Sequence, residues 1–415
     1  MSHILSARAE NLLAAPPLPE YIRVQQERAQ EAWNAATNPD GYISMGVAEN
    51  KLVWDLLEPR MAECRDLEHY SVGYDKMIGS VPFRQILAKF MSRTFIGREV
   101  RPDQLAVFNG AGSALELIFY ALCDAGDGVL VPTPSYTGFW MDLETRDEAS
   151  IIPVHCSSED GFRLTRALLD EAIEKADRPV KALLYTNPNN PLGEVYSAED
   201  VDDILSWAQE RGIHVVLDEI YALSIFGESK FTSGAKLRPE MGDWLHIIWA
   251  FSKDFGLSGL RAGVLFTENH RLLEAVGALA PWAATSGDTQ SLLGQLLEDE
   301  AWVDFYIEEN RRRLGDAYRR VTETLDEYGI GYIPAEAGFF FLIDVRPLMD
   351  ELTWDAEERL WRHLLDELNI NLTPGSACHN GEPGFMRLVF TGAPTDAVVT
   401  GVHRLGRYAQ SIVAN

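Results

Sequence analysis

The sequence predicts an α/β fold: a large domain built on a mainly parallel sheet, followed by a smaller α+β domain. Three observations carry this. Short apolar runs of strand length alternate with helical stretches from about residue 105 to residue 250, the pattern of a parallel sheet with crossover helices. Near residue 290 the pattern changes to one long helical tract followed by mixed strands and helices. The 415 residues are enough for two or three domain-sized units.

Taken in order, residues 1–20 end in Ala14-Ala15-Pro16-Pro17-Leu18-Pro19-Glu20, and prolines at this density predict an extended arm rather than a helix. Residues 21–35 have helical composition, and Gly46-Val47-Ala48-Glu49-Asn50 follows a turn ahead of the apolar Leu52, Val53 and Trp54. The segment Gly79-Ser80-Val81-Pro82-Phe83-Arg84 leads into a helix over 85–93. Strands are expected over 105–108, 128–131 (closed by Pro132), 151–154, 182–185, 214–217 and 246–249, with helices such as 114–123 and 198–211 between them. A helical tract over 292–328 carries the run Glu308-Glu309-Asn310-Arg311-Arg312-Arg313, read as a solvated helix face. A strand over 338–344, a helix over 356–368 and strands over 370–372 and 386–390 complete the chain. The expected division is 1–50 as an N-terminal arm and helix contributing to the small domain, 51–290 as the large domain and 291–415 as the small domain.

Composition excludes several functions. A net charge of −27 argues against a nucleic-acid binder, which presents a basic face, while an acidic field can steer a cationic substrate. The four cysteines are scattered and form no C-x-x-C pair, which argues against a disulfide framework or a cysteine zinc site and fits a reducing cytoplasm. The N-terminal residues lack a signal-peptide core, and no apolar window is long enough to span a bilayer. The expectation is a cytoplasmic protein with no membrane, nucleic-acid or metal partner.

Six stretches carry chemistry. Ala250-Phe251-Ser252-Lys253-Asp254-Phe255-Gly256-Leu257-Ser258-Gly259-Leu260-Arg261 follows the apolar Ile247-Ile248-Trp249 and sets one lysine among small and apolar residues. Burial there lowers the lysine pKa and makes its amine a nucleophile able to form a Schiff base with an aldehyde. Arg261 supplies a second cation for a phosphate or carboxylate. Gly110-Ala111-Gly112-Ser113 stands between a strand and a helix, where amides and the helix N-terminus can cradle a phosphate; a plain turn is the alternative. Tyr136, in Pro134-Ser135-Tyr136, can stack on a flat cofactor or pack in the core. Asp218 closes Val215-Val216-Leu217, where a carboxylate needs a partner such as a protonated pyridine nitrogen, a helix N-cap being the alternative. Tyr221 follows, in reach of the same group or simply packed. Arg387, inside Met386-Arg387-Leu388-Val389-Phe390, needs a partner: a substrate α-carboxylate or an internal salt bridge. The turn Thr186-Asn187-Pro188-Asn189-Asn190-Pro191-Leu192-Gly193 holds side-chain amides in place.

In their order along the chain, these motifs resemble those of fold-type I pyridoxal-phosphate (PLP) enzymes of the class I/II aminotransferase superfamily. The nearest likeness is to the 1-aminocyclopropane-1-carboxylate (ACC) synthase branch, through Gly46-Val47-Ala48-Glu49-Asn50-Lys51-Leu52 and the segment from Lys253 to Arg261. The resemblance implies a mainly parallel seven-stranded sheet flanked by helices. It implies Lys253, Asp218 and Tyr221 as catalytic residues, the lysine carrying the cofactor. It places Ala111, Gly112, Ser113, Ser252 and Arg261 at the cofactor phosphate, Tyr136 over the pyridine ring, and Asn190 and Tyr221 at the phenolic oxygen. Arg387 falls on the substrate carboxylate, with Ala48 and Glu49 near the rest of the substrate. Tyr74, five residues before Gly79, matches an aminotransferase tyrosine that reaches the phosphate of a partner subunit, which implies a homodimer with shared sites; plant ACC synthases have a shorter interval. Two departures stand out. Ala250 replaces a usual serine or threonine phosphate donor, and Leu115 is a bulky residue beside the phosphate loop.

The branch implies S-adenosylmethionine as substrate. The expected chemistry is removal of the α-proton by Lys253, loss of methylthioadenosine from Cγ, and then ring closure or capture by a second substrate such as a nicotinamide nucleotide. An aminotransferase uses the same residues and is the alternative. A non-catalytic regulator on the same fold is disfavoured by the intact Lys253, Asp218 and Arg387.

Overall fold

The computed structural model describes residues 4–67 and 69–413. Its main sheet has seven strands: β2 (Leu105–Phe108), β3 (Gly128–Thr133), β4 (Ser150–His155), β5 (Val180–Thr186), β6 (His214–Asp218), β7 (Leu245–Ala250) and β8 (Gly263–Thr267), in the order β2-β8-β7-β6-β5-β3-β4. The pairs from β7 to β4 are parallel, and β8 runs antiparallel to both its neighbours. β7 is buried along its whole length, as expected of a parallel strand covered by helices on both faces. Two small pairs lie outside this sheet: β1 (Ile43–Ser44) beside β10 (Ile370–Asn371), parallel, and β9 (Phe340–Asp344) beside β11 (Phe385–Val389), antiparallel. The helices Glu300–Glu327 and Thr395–Val413 pack beside them over a second core that includes Leu314, Val321, Phe341, Leu388 and Val402.

Register puts the chemistry on one edge. Phe108, Gly263 and Ala250 are cross-strand neighbours, and Thr186, Asp218 and Ile248 lie side by side. The loops that leave the carboxyl ends of β2, β3, β5, β6 and β7 therefore open on the same side, where open α/β sheets bind ligands.

Some elements differ from expectation. Residues 7–14 form a helix, Ala7–Ala14, rather than an extended arm. Ser6 caps it by accepting from the Ala9 N–H at 3.3 Å, and none of its residues is buried; the prolines begin only after it ends. The 292–328 tract is two helices, Gly287–Glu298 and Glu300–Glu327. Asp299 breaks it and caps the second by accepting from the Trp302 N–H at 3.0 Å. β3 runs through Pro132, because β3 pairs with β5 only as far as Leu130 and proline there disturbs no second ladder. The helix placed at 114–123 is Ala111–Leu122, so the supposed turn residues are already its first turn. β8 has no counterpart among the expected strands.

Among the described residues no helix is long and apolar enough to cross a membrane. All four cysteines are free.

Candidate active site

Lys253 is placed by the end of β7. The strand stops at Ala250, still extended, and the chain coils into the short helix Phe251–Asp254. The Lys253 Nζ donates to the Ala48 carbonyl at 2.6 Å, and among the described residues no carboxylate forms an ion pair with it. Burial, and then the Arg387 guanidinium, pull its pKa down to about 8, against the opposing charges of Glu49 and Asp218. This is a buried amine with a lowered proton affinity.

Asp218 ends β6 and is 6% exposed. Its carboxylate accepts the Ile220 N–H at 3.2 Å, a turn two residues long, and caps no helix. Burial raises its pKa to about 7, opposed by that N–H and by Lys253. No cation of the protein binds it among the described residues, so the carboxylate is left for a cationic group entering the cavity. The Tyr221 ring is held edge-on by Phe339 and Phe340, yet its hydroxyl is buried without a partner. A buried hydroxyl with nothing to bind costs stability unless a ligand completes it.

The loop ahead of helix Ala111–Leu122 is shaped by two glycines. Gly110 has φ +115°, and a Cβ on it would lie 2.1 Å from Arg261 Nη2; a Cβ on Gly263 would lie 2.4 Å from the Gly110 carbonyl carbon. The Arg261 guanidinium is thereby laid against the N-terminus of helix Ala111–Leu122, whose first amides have no helical partner. Arg261 donates to the Ser258 carbonyl at 3.0 Å and forms no ion pair among the described residues. Cation, amides and helix end form an anion site.

A cavity of about 210 Å³ joins these groups. Ala111, Gly112, Tyr136, Asn190, Asp218, Tyr221, Ser252, Lys253 and Arg261 all line it. So do Leu115, Phe139, Ser258 and Asp142. Leu115 thus fills part of the phosphate-loop wall, and Ala250 is fully buried at its strand end. Ser113 does not line the cavity. Asp142 escaped the sequence reading. Its carboxylate is 3.0 Å from where a Cβ on Gly112 would lie, and burial, with Glu116 and Asp218 nearby, raises its pKa to about 7. Ser258 was visible in the Lys253–Arg261 stretch but had no separate signal.

Arg387 lies behind Asn190. It sits in β11, opposite Leu342, 1% exposed. Nη1 donates to Asn190 Oδ1 at 2.9 Å, and Nη2 donates to the Gly46 carbonyl at 2.7 Å and Thr373 Oγ1 at 3.0 Å. Nε is buried and unpartnered, and among the described residues no carboxylate pairs with the guanidinium. The internal salt bridge is therefore absent. All its partners are neutral, which leaves a buried cation without a counter-charge. Tyr21, also missed, is buried nearby and bonds Thr137 Oγ1 at 2.9 Å; nothing in its local sequence marks it. Among the described residues no protein acceptor takes the Asn190 amide nitrogen; its Oδ1 accepts from Arg387.

Glu49 is half-exposed, its Oε2 3.8 Å from Lys51 Nζ. It caps no helix, since the next one, Trp54–Glu63, begins at Val53. Ala48 enters through its carbonyl. Tyr74 is 99% exposed and touches no part of this cavity. Flat ring, pyridine nitrogen, phenolic oxygen and phosphate each meet a group of matching character here, so the residues fit PLP.

Comparison with known proteins gives three findings. A family model for aminotransferase class I and II matches residues 58–405. The 1-aminocyclopropane-1-carboxylate synthase 6 of Arabidopsis thaliana is 37% identical over 385 residues, 88% of this chain and 78% of that protein. The 1-aminocyclopropane-1-carboxylate synthase 1 of Oryza sativa subsp. indica is 34% identical, with 94% and 85% covered. Among solved structures, a Pyrococcus protein (TM-score 0.83) and a Thermus thermophilus aspartate aminotransferase double mutant (TM-score 0.80) are similar, each 21% identical with 98% of this chain and all of the other covered. At that identity they speak for the fold.

Proposed function

From the premise that the chain belongs to the aminotransferase class I and II family, as a PLP-dependent enzyme related to the ACC synthase branch, we propose that its amino-acid substrate is S-adenosylmethionine, that the reaction removes the α-proton, and that methylthioadenosine leaves from Cγ. The observation that carries this reading is the position of the ACC-synthase-like loop at the catalytic amine. Ala48 accepts from Lys253 Nζ at 2.6 Å, and Glu49, the next residue, acts on the charge of that amine. A carboxylate there suits a sulfonium substrate.

When bound, PLP supplies an electron sink for negative charge developing at Cα. The rest falls to the protein. Lys253, held in a buried site with a lowered proton affinity, takes the α-proton. Asp218 keeps a negative charge facing the pyridine nitrogen. Tyr221 and Asn190 donate to the phenolic oxygen, and Tyr136 packs against the ring. Arg261, the amides of Ala111 and Gly112, and the Ser252 hydroxyl hold the phosphate. Arg387 takes the substrate carboxylate. As the Cγ–sulfur bond breaks, its electron pair stays on sulfur, so the sulfonium leaves as a neutral thioether. The product is then either the cyclopropane amino acid or an adduct with a second substrate such as a nicotinamide nucleotide. We assign the large unit to residues 51–290 and the small unit, which carries Arg387, to 1–50 and 291–415.

Transamination is the second reading. The five-residue step from Tyr74 to Gly79 favours it. Incubation with S-adenosylmethionine alone, and separately with amino acid plus 2-oxoacid, decides between them. Methylthioadenosine release without keto acid is expected; amino-group exchange without methylthioadenosine would replace the first reading with the second.

The working unit is a homodimer with shared sites. Tyr74 is wholly exposed, and Leu12, Tyr120 and Trp282 line one surface groove with 43%, 59% and 77% of their surface bare, apolar side chains that a second copy would cover. Tyr74→Phe is expected to weaken cofactor retention. If Tyr74→Phe proves inactive, mixing it with Lys253→Ala should restore some activity through hybrid dimers, and a fully active monomer in sedimentation would refute the arrangement.

A further inference from the structure

The residue after the lysine faces the opposite way. Asp254 is 1% exposed and points into the core. Its Oδ2 accepts from Trp249 Nε1 at 2.8 Å and from the Leu223 N–H at 3.0 Å, and its Oδ1 accepts from Ser224 Oγ at 2.7 Å. No cation pairs with it among the described residues. The neighbouring arginine, Arg311, instead donates its Nε–H to the Leu223 carbonyl at 2.9 Å.

Burying a carboxylate without a counter-charge is expensive, and a packed apolar side chain would fill the same space at no such cost. The three donors show what the carboxylate does. Trp249 belongs to β7, which carries the lysine helix; Leu223 and Ser224 belong to the turn that carries Tyr221. Besides its internal bonds, Ala222 N–H to the Glu219 carbonyl and Ser224 N–H to the Tyr221 carbonyl, the turn has a Ser224 carbonyl that accepts from the Gly338 N–H at 2.9 Å, and its other backbone tie to β7 is Glu219 N–H to the Ile248 carbonyl at 2.9 Å, two residues before Tyr221. One carboxylate spans the two segments.

We propose that Asp254 is a positioning residue, which sets the Tyr221 hydroxyl relative to the Lys253 amine by tying the Tyr221–Ser224 turn to the lysine-bearing helix. The proposal rests on Lys253 and Tyr221 serving the cofactor and is independent of the amino acid used.

Asp254→Asn keeps the shape but presents an NH₂ where an acceptor is needed. The holoenzyme's absorption, titrated with pH, reports how the phenolic oxygen is held. Asp254→Asn is expected to move its midpoint in the same direction as Tyr221→Phe, and the double variant should titrate like Tyr221→Phe alone, since two changes acting through one group are not additive. In the apoprotein, the Leu223 amide should exchange at least about tenfold faster, as expected when a buried N–H loses its acceptor. Should Asp254→Asn fail to fold, Ser224→Ala removes one of the three bonds and leaves the carboxylate; a smaller shift in the same direction is expected. A parental midpoint in a variant that merely melts earlier would overturn the proposal, as would a shift that adds to that of Tyr221→Phe. A parental midpoint in Tyr221→Phe itself would overturn the assignment of Tyr221, and this proposal with it, while leaving Lys253 untouched.

Discussion

Lys253→Ala is expected to abolish turnover and the absorption band of lysine-bound cofactor together. A positioned proton-transfer group contributes roughly 10²–10⁴-fold, and here the same amine also anchors the cofactor, so the loss should reach the upper end or exceed it. Among the described residues no other amine lines the cavity to replace it. The amine's environment adds a pH signature. Burial and Arg387 bring it to about 8, against ~10.4 for a solvated lysine. Capture of PLP by the apoprotein requires the neutral amine, so its rate should rise with pH and level off just above 8, where a solvated lysine would still be climbing. Borohydride trapping of the linkage at each pH measures this. A trappable linkage in Lys253→Ala would place the cofactor on another lysine, and a rate still rising at pH 10 would show the amine to be exposed.

How much of this was legible beforehand depended on whether the signal was local. Strands β2 to β7 are short apolar runs and could be read directly. β8 was not, because Gly263 and the preceding Arg261 belong to the loop that lies against Gly110 and mask the start of the strand. The helix after Gly110 was placed late because glycine and serine in its first turn look like a loop; Gly110, just before them, is what lets Arg261 approach. The cavity-lining residues at or just past strand ends were visible in sequence: Asp218 as a carboxylate closing an apolar run, Lys253 as a lysine just after one, and Asn190 as an amide in an Asn-Pro turn. Asp142 and Tyr21 were not, since Asp142 becomes a site residue only when its helix is laid against Ala111–Leu122, and Tyr21 only when the chain brings it near Arg387. Ser113, expected at the phosphate from the resemblance, does not line the cavity. Whether Asp254 was structural or poised for chemistry was likewise undecidable from the sequence, since its donors come from residues 223, 224 and 249.

Arg387→Lys is expected to weaken substrate binding far more than cofactor binding. The guanidinium is buried, has only neutral partners and keeps an unpartnered Nε, so the counter-charge it lacks is one a substrate carboxylate can bring. Lysine retains the charge but not the planar fork that takes a carboxylate with two bonds. Truncating one member of such a desolvated pair costs roughly 2–5 kcal/mol, on the order of 30-fold to several thousand-fold in affinity. The cofactor should feel less, because its phosphate is assigned to Arg261 and the loop at Gly110, and Arg387 does not line that cavity. It will not be wholly indifferent: Arg387 holds Asn190 through Oδ1, and Asn190 is assigned to the phenolic oxygen. Asn190→Ala therefore serves as the control. It should disturb the spectrum of the bound cofactor while leaving substrate affinity closer to the parent, whereas Arg387→Lys should do the reverse. Titrating substrate against the cofactor absorption of each variant separates the two. Unchanged substrate affinity with lost cofactor in Arg387→Lys would make Arg387 part of the scaffold that ties β11 to Gly46 and Asn190, and the carboxylate would have to be bound elsewhere.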